Sequence, residues 1–481
     1  MSAFYADPGQ IADAIIGRVG RKIVLALPLG LGKAVHIANA LVSRALKDQS
    51  LDLQILTALT LEIPQSGNEL EQRFLAPAAK RLFGNYPELS YARLLRAGEL
   101  PANIRVSEFF FLVGQWLNVA PAQQNYIPAN YTHALSYILE RGVNVVAQLV
   151  ARRDNAYSLS CNPDILPDLL KARQEGRADF IFAVQLHDEL PFMAGAAQVP
   201  AREVDVVLEG LETDFELYAA PKRPVSLADQ AIGLHAARLL RDGGTLQIGI
   251  GSIGDAVAQG LILRQKDNRT FRQLVGDLAL PSAPPSLCHD EPFEEGLYAV
   301  SEMFVDAFLH LAENGILKRE VDGAVLHGAF FVDTREFYRK LCDMSEQERG
   351  RFQMMPVGFT NELFGDEQSK RKARVKACFI NNAMMATLRG AVISDGLDNG
   401  AVVSGVGGQY NFVAQAFALA DARSVIALNT TRQSKGKTVS NIVWSYGHTT
   451  IPWHLRDLIV TEYGVADLRG KTEAEAIAAM L

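Results

Sequence analysis

Short runs of β-branched and other apolar residues alternate with longer amphipathic runs along almost the whole chain. "RKIVLALPL" leads into "KAVHIANALVSRAL", "GVNVVAQLV" precedes "DILPDLLKARQEG", and "ADFIFAVQL" follows it. Strand-length apolar runs need cover on both faces, and crossover helices supply it when the strands run parallel. The pattern therefore predicts an α/β protein with largely parallel sheets. At 481 residues the chain exceeds what one core usually organises, so two domains are expected. The linker candidate is "LYAAPKRPVSLAD", between the strand-like "EVDVVLEG" and a new helix, with a boundary near residues 215 to 226. The division becomes 1–218 and 219–481. An internal echo supports it: Leu27 to Gly32 ("LPLGLG") and Leu246 to Gly251 ("LQIGIG") share a pattern, 246 − 27 = 219 residues apart.

Charge and cysteine content close off several function classes. A formal charge of −7 argues against nucleic acid or an anionic membrane as the main partner. Cys161, Cys288, Cys342 and Cys378 are scattered and form no C-x-x-C pair, which speaks against structural zinc, a redox dithiol or a disulfide framework. No metal site is expected. The N-terminal stretch carries acids without a signal-peptide pattern, and no apolar run approaches the roughly 20 residues of a membrane span. The expected location is the cytoplasm. "KTEAEAIAAML" stops inside an amphipathic pattern, so a truncation or a distinctive C-terminus is expected there.

Three glycine-rich stretches stand where a strand gives way to a helix. They are Gly30 and Gly32 before Lys33, the G-x-G-x-x-G of Gly249, Gly251 and Gly254, and "SGVGGQYNFVAQA" from Ser404 to Ala416. Such loops bring backbone N–H groups close to an anion, with the positive end of a helix behind them. They also serve as plain tight turns. A Walker-type P-loop is excluded at Lys33, because Leu27 occupies the first glycine position and Ala34 replaces the Ser or Thr. A Rossmann reading of Gly249 to Gly254 would use Asp277 at the end of a second strand, but a helix precedes the fingerprint where a domain's first strand belongs.

Downstream, in "EEGLYAVSEMFVDAFLHLAENGIL", Leu297 to Val300 reads as a strand and Met303 to Leu311 as a helix. Glu302 then sits at the corner, with Ser301 as a candidate cap. One reading is a helix-start acid, favourable near the N-terminal dipole; the other is a nucleophile.

Taken in order, "LQIGIGSIGDAV", "VSEMFVDA" and "VSGVGGQYNFVAQA" resemble the class I CoA-transferases, in particular the acetyl-CoA hydrolase/4-hydroxybutyrate CoA-transferase group. "VLALPLGLGK", "NYIPANYTHA", "SKGKTVSNIVW" and "LIVTEYGVADLRGKT" extend the likeness from about residue 23 to 473. The resemblance implies two tandem open α/β/α domains, a homodimer, and acyl-CoA and small carboxylic acids as partners. CoA is then a substrate and part of a covalent intermediate, with no tightly bound cofactor. It implies a ping-pong reaction in which Glu302 becomes a glutamyl-CoA thioester. Gly405, Gly407 and Gly408 would line the thioester, and Asn361 and Gln409 would be its polar partners. Gly249, Ile250, Gly251, Ser252 and Ile253 would form the CoA loop.

Other positions carry two readings. Lys435 and Lys437 would meet CoA phosphates or form a solvated run. Tyr126, Asn130, Tyr131 and His133 fall where the family shapes its acid pocket, or simply pack. The stretch 264–300 is longer than in compact relatives, which suggests a lid or surface insertion, and "NNAMMATLRGAV" lacks the acids many relatives carry. Hydrolysis of acyl-CoA at the same glutamate, an NAD(P)-dependent oxidoreductase and a CoA-sensing relative without activity are the competing functions.

Overall fold

The computed structural model describes residues 2–278 and 284–481. Contacts divide the chain into two compact units. The first takes Met1–Pro221, Ala329–Val357 and Val402–Gly405, and the second Lys222–Gly328, Gly358–Ala401 and Val406–Leu481. Two later segments thus return to the first unit. The N-terminal piece ends at Pro221, inside the proline-bearing linker, and Ser226 and Asp229 then form a capping box on the helix Leu227–Ala237.

In the first unit the main sheet is built from β1 (Ala3–Tyr5), β2 (Lys22–Leu29), β3 (Asp52–Ala58), β4 (Ile104–Glu108), β5 (Val145–Arg153), β6 (Ile181–Leu186) and β7 (Val206–Leu208), in the order β1-β7-β6-β5-β2-β3-β4. Every neighbouring pair on this path is parallel. Seven consecutive residues of β5 are buried, as a strand covered on both faces must be. Register slips between Ala26 and Leu29, where Pro28 has no N–H to give the ladder.

The second unit repeats the plan. β8 (Thr245–Ile248), β9 (Tyr298–Met303), β10 (Cys378–Asn382), β11 (Arg423–Ala427), β12 (Leu458–Thr461) and β13 (Gly464–Asp467) follow the order β13-β12-β11-β10-β8-β9. All these pairs are parallel except the edge pair β12–β13. In each unit one strand lies between its successor and a later strand: β2 between β3 and β5, β8 between β9 and β10. The chain changes direction across the sheet there, which opens a crevice at the strands' carboxyl ends. The echoed glycine motifs occupy these two places, so the predicted α/β class with largely parallel sheets holds.

The two crevices are furnished differently. In the first unit Lys33 fills the space: fully buried, its Nζ donates to the carbonyls of Ala58 (2.6 Å), Leu59 (3.2 Å) and Gly30 (3.4 Å). Glu108, also buried, accepts from Thr60 N–H (3.1 Å) and Trp116 Nε1 (3.1 Å), and Asp164 accepts from Tyr131. Burial pushes the Lys33 ammonium down and the Glu108 and Asp164 carboxyls up from their ordinary ranges. Lys33→Met removes the hydrogen bonds to the carbonyls of Ala58, Leu59 and Gly30 and leaves them buried without that donor. It should lower unfolding stability by about 1–3 kcal/mol, read from the urea midpoint; an unchanged midpoint would refute this role.

Two elements differ from the sequence reading. Asp277 closes the helix Asn268–Asp277 and belongs to no strand, so the ribose-binding acid of a Rossmann fold is missing. The strand carrying Glu302 runs to Met303, and the next helix starts only at Asp306. Ser301 caps nothing, since its hydroxyl donates to the Met303 carbonyl (2.9 Å) and the cap position is Val305. Among the described residues no helix is long and apolar enough to cross a membrane.

Candidate active site

Glu302 belongs to β9, where side chains alternate in direction, so it shares a face with Tyr298 and Val300. Those two pack with Phe379, Phe412 and Ala416 in one apolar cluster, which seats the helix Gln409–Ala418 along this face. The packing brings the N-terminal end of that helix to Glu302. Its cap residue is Gly408, and a methyl group on Gly408 would overlap both the Glu302 carboxylate and the Asn361 amide. Only glycine fits.

Asn361 completes the group. Its Nδ2 donates to Glu302 Oε2, while its Oδ1 accepts from the Thr360 hydroxyl (2.8 Å), and both residues are fully buried. Two buried cations hold the turn that carries it. Lys370 Nζ donates to the carbonyls of Gly358 (2.8 Å), Glu362 (3.0 Å) and Phe364 (2.6 Å). Arg374 donates to the carbonyls of Phe359 and Glu362 and to Gln415 Oε1. Burial lowers the Arg374 pKa to about 10, which leaves it charged at neutral pH.

The Gly249 to Gly254 loop leaves β8 beside this strand. Gly249 N–H makes the last ladder bond, to the Ile380 carbonyl (2.7 Å), and Asn382 Nδ2 grips the Ile250 carbonyl (2.7 Å). Gly251 turns at φ +99° to start the helix Ser252–Lys266, which has no side-chain cap. The first N–H groups of that helix, from Ser252 and Ile253 onward, therefore lack intrahelical acceptors. Ile250 is 55% exposed, unusual for an isoleucine beside a buried strand end.

Polar atoms without protein partners collect around these strand ends. Among the described residues, Gln247 Oε1, Asn381 Nδ2, Asn382 Oδ1 and Gln409 Oε1 are buried and find no hydrogen-bond partner. Buried polar groups ordinarily find partners, so several orphans together mark a place for a polar ligand. Gln409 spends its Nε2 on the Asn382 carbonyl (2.8 Å).

The remaining candidates separate from this group. Gly405 belongs to the first unit and is pressed against the backbone of Phe109 and Phe110, so its lack of a side chain is already explained by packing. Gly407, at φ +57°, makes the turn into Gly408. Lys435 and Lys437 lie on an exposed hairpin, with Lys435 and Gly436 at its left-handed turn. Tyr126 packs tilted against Phe111, and Tyr131 and His133 meet Phe330 and Tyr137 edge to face. Asn130 precedes the 3₁₀ turn Tyr131–His133. The 264–300 stretch is anchored by buried Arg264, which donates to the carbonyls of Ala237, Leu240 and Glu291. Its residues 279–283 lie outside the described residues. Thr360, Asn381 and Asn382 were not anticipated. The only signal was an Asn-Asn pair closing the apolar run "KACFINN".

A parallel α/β unit thus holds a glutamate, an amide donor and a side-chain-free helix start together at its strand ends. The fold is shared with the structure of RipA from Yersinia pestis, which superposes with a TM-score of 0.73, at 20% identity, over 99% of this chain and 92% of the other. Residues 334–481 match the family described as acetyl-CoA hydrolase/transferase C-terminal domain, the family to which the sequence motifs pointed. The chain is 26% identical to 4-hydroxybutyrate coenzyme A transferase of Clostridium kluyveri, over 74% of this chain and 73% of that one. It is also 26% identical to butyryl-CoA:acetate CoA-transferase of Anaerostipes caccae, over 73% and 70%.

Proposed function

We propose that the chain is a CoA-transferase that moves CoA from an acyl-CoA to a small carboxylic acid, with Glu302 as nucleophile. The observation that carries this is the Glu302–Asn361–Gly408 group, supported by relatives named as CoA-transferases. A glutamate Oε attacks the thioester carbonyl, the C–S bond breaks, and an acyl-glutamyl anhydride and CoA thiolate result. The thiolate attacks the glutamyl carbonyl, releasing the first acid and leaving glutamyl-CoA; an acceptor carboxylate reverses both steps.

A carboxylate is a weak nucleophile in water, and withdrawal from bulk solvent strengthens it. Asn361 Nδ2 donates to Glu302 Oε2 and so helps to aim the carboxylate. The Gln409–Ala418 helix is capped by Gly408 beside Glu302, so the N–H groups of its first turn would meet a developing oxyanion, where each well-placed donor is worth on the order of 100-fold. Gly249 to Ile253 would carry the CoA chain, with the orphaned amides of Asn381, Asn382 and Gln409 meeting the pantetheine amides. CoA serves as substrate and covalent intermediate, without a tightly bound cofactor. The reading includes a homodimer in the cytoplasm. Hydrolysis by water at glutamyl-CoA is the second reading, favoured by the family description, which covers both reactions.

The first test is ligand-dependent melting. Acetyl-CoA or butyryl-CoA at 100 times its dissociation constant should stabilise the protein by roughly 2.7 kcal/mol, and NAD(P) should leave it unmoved. A shift with NAD(P) alone would reverse the assignment. A panel of carboxylate acceptors with CoA-ester products measured then separates transfer from hydrolysis.

A further inference from the structure

Two side-chain amides at the strand ends of the second unit are oriented by the bonds they make. Asn382 closes β10, and its Nδ2 donates to the Ile250 carbonyl (2.7 Å), in the loop that leads from β8 to the helix Ser252–Lys266. Gln409 opens the helix Gln409–Ala418, and its Nε2 donates to the Asn382 carbonyl (2.8 Å). Each partner is a carbonyl oxygen, so each amide presents its nitrogen there and turns its oxygen away. Both oxygens, Asn382 Oδ1 and Gln409 Oε1, are buried and find no hydrogen-bond partner among the described residues. A buried acceptor without a donor costs stability, so folding alone does not account for this pair.

The two bonds join three elements in series: loop, strand end and helix start. All three belong to the second unit. The loop leaves the sheet at Gly249, whose N–H makes the last ladder bond, and it lies close on Asn382. A Cβ on Gly249 would stand 3.4 Å from the Asn382 backbone nitrogen and 3.5 Å from Nδ2. At the other end, the helix that Gln409 opens is capped by Gly408, against the Glu302 carboxylate and the Asn361 amide. Asn382 thus sets how the loop stands relative to the helix start beside Glu302.

We propose that Asn382 is a positioning residue for CoA transfer, bridging Ile250 and Gln409 so that a thioester carried by the Gly249 to Ile253 loop is presented to Glu302. The inference rests on the Glu302 reading given above. A reacting centre misplaced by about 1 Å can lose on the order of 100-fold, so loss of the bridge falls on kcat. A residue that only shaped a binding surface would alter KM and leave kcat unchanged.

The test compares the full wild-type chain with Asn382→Leu, Gln409→Met and the double variant, using acetyl-CoA or butyryl-CoA as donor and a labelled carboxylate as acceptor. Leu and Met keep roughly the side-chain volume and delete the amide donors. Each single variant should lower kcat about 10- to 100-fold. A bridge cut at one end loses little more when cut at the other, so the double variant should stay within about threefold of the slower single one. Circular dichroism checks folding, and Asn382→Ser with Gln409→Ala carries the same comparison if the first pair does not fold. A kcat within about threefold of wild type, a rise in KM alone, or losses that multiply in the double variant would overturn the bridge. The Glu302 reading stands through that result if wild-type protein still yields CoA on the Glu302 peptide. Absence of that adduct from wild-type protein overturns both.

Discussion

Glu302→Gln should abolish CoA transfer, by at least about a thousandfold, while leaving the fold intact. The amide keeps the shape and an oxygen that can accept from Asn361 Nδ2, so the contact seen in the structure survives. The oxygen that would attack is replaced by nitrogen, and no anhydride can form. With wild-type protein, acyl-CoA added without an acceptor should leave CoA on the Glu302 peptide, trapped by borohydride or hydroxylamine. Glu302→Asp should also lose most activity, because withdrawing the carboxylate by about 1 Å can cost on the order of 100-fold. Glu294, Glu295, Asp306 and Glu313 are the internal controls. Asp306, for example, starts a helix and pairs with Lys222 (3.2 Å) and His310 (3.2 Å). Amide variants at these positions should retain transfer. CoA recovered on another peptide, or substantial turnover by Glu302→Gln, would sink the assignment.

Gly408→Val should reduce turnover about 100-fold or more, at a stability cost of about 1–3 kcal/mol. The backbone of Gly408 sits at φ −98°, which any residue can adopt, so the damage comes from side-chain volume. That volume falls on the Glu302 carboxylate and the Asn361 amide, displacing the two groups the reaction needs. Gly407→Val acts differently, because φ +57° strains a β-branched residue whatever the space around it. Comparing circular dichroism, melting and kcat for both variants separates crowding from strain. Near-normal turnover in Gly408→Val would mean the helix start is only a turn.

The α/β class and the places of the central strands were legible because parallel strands buried on both faces write themselves as unbroken apolar runs. "GVNVVAQLV" and "ADFIFAVQL" became β5 and β6. The helix start at Gly408 and the glycine turn at Gly251 were legible for a related reason: a position that excludes every side chain leaves glycine as its trace. Glu302 was noticed by its place in the motif order, but its local geometry was misjudged. A Ser-Glu pair before a helix imitates a cap, whereas the strand runs on through Glu302 to Met303. Asp277 failed likewise, since "FRQLVGDL" suits a strand or a helix and tertiary packing chose the helix. The returning segments Ala329–Val357 and Val402–Gly405 leave no local mark at all, because membership of a unit is decided by distant partners. Thr360 was invisible for the same reason, and Asn382 showed only as half of the Asn-Asn pair that closes "KACFINN".

The clamp behind Asn361 bears on transplantation. Lys370 and Arg374 touch neither Glu302 nor Gly408 through any of their hydrogen bonds described above, yet together they secure the carbonyls of Gly358, Phe359, Glu362 and Phe364 around the asparagine. The smallest portable piece of this site is therefore larger than its contact residues. Grafting Glu302, Asn361 and Gly408 onto a foreign scaffold would carry the reagents without the fixture that aims them. The helix Glu367–Ala373, with Arg374 at its end, would have to travel too.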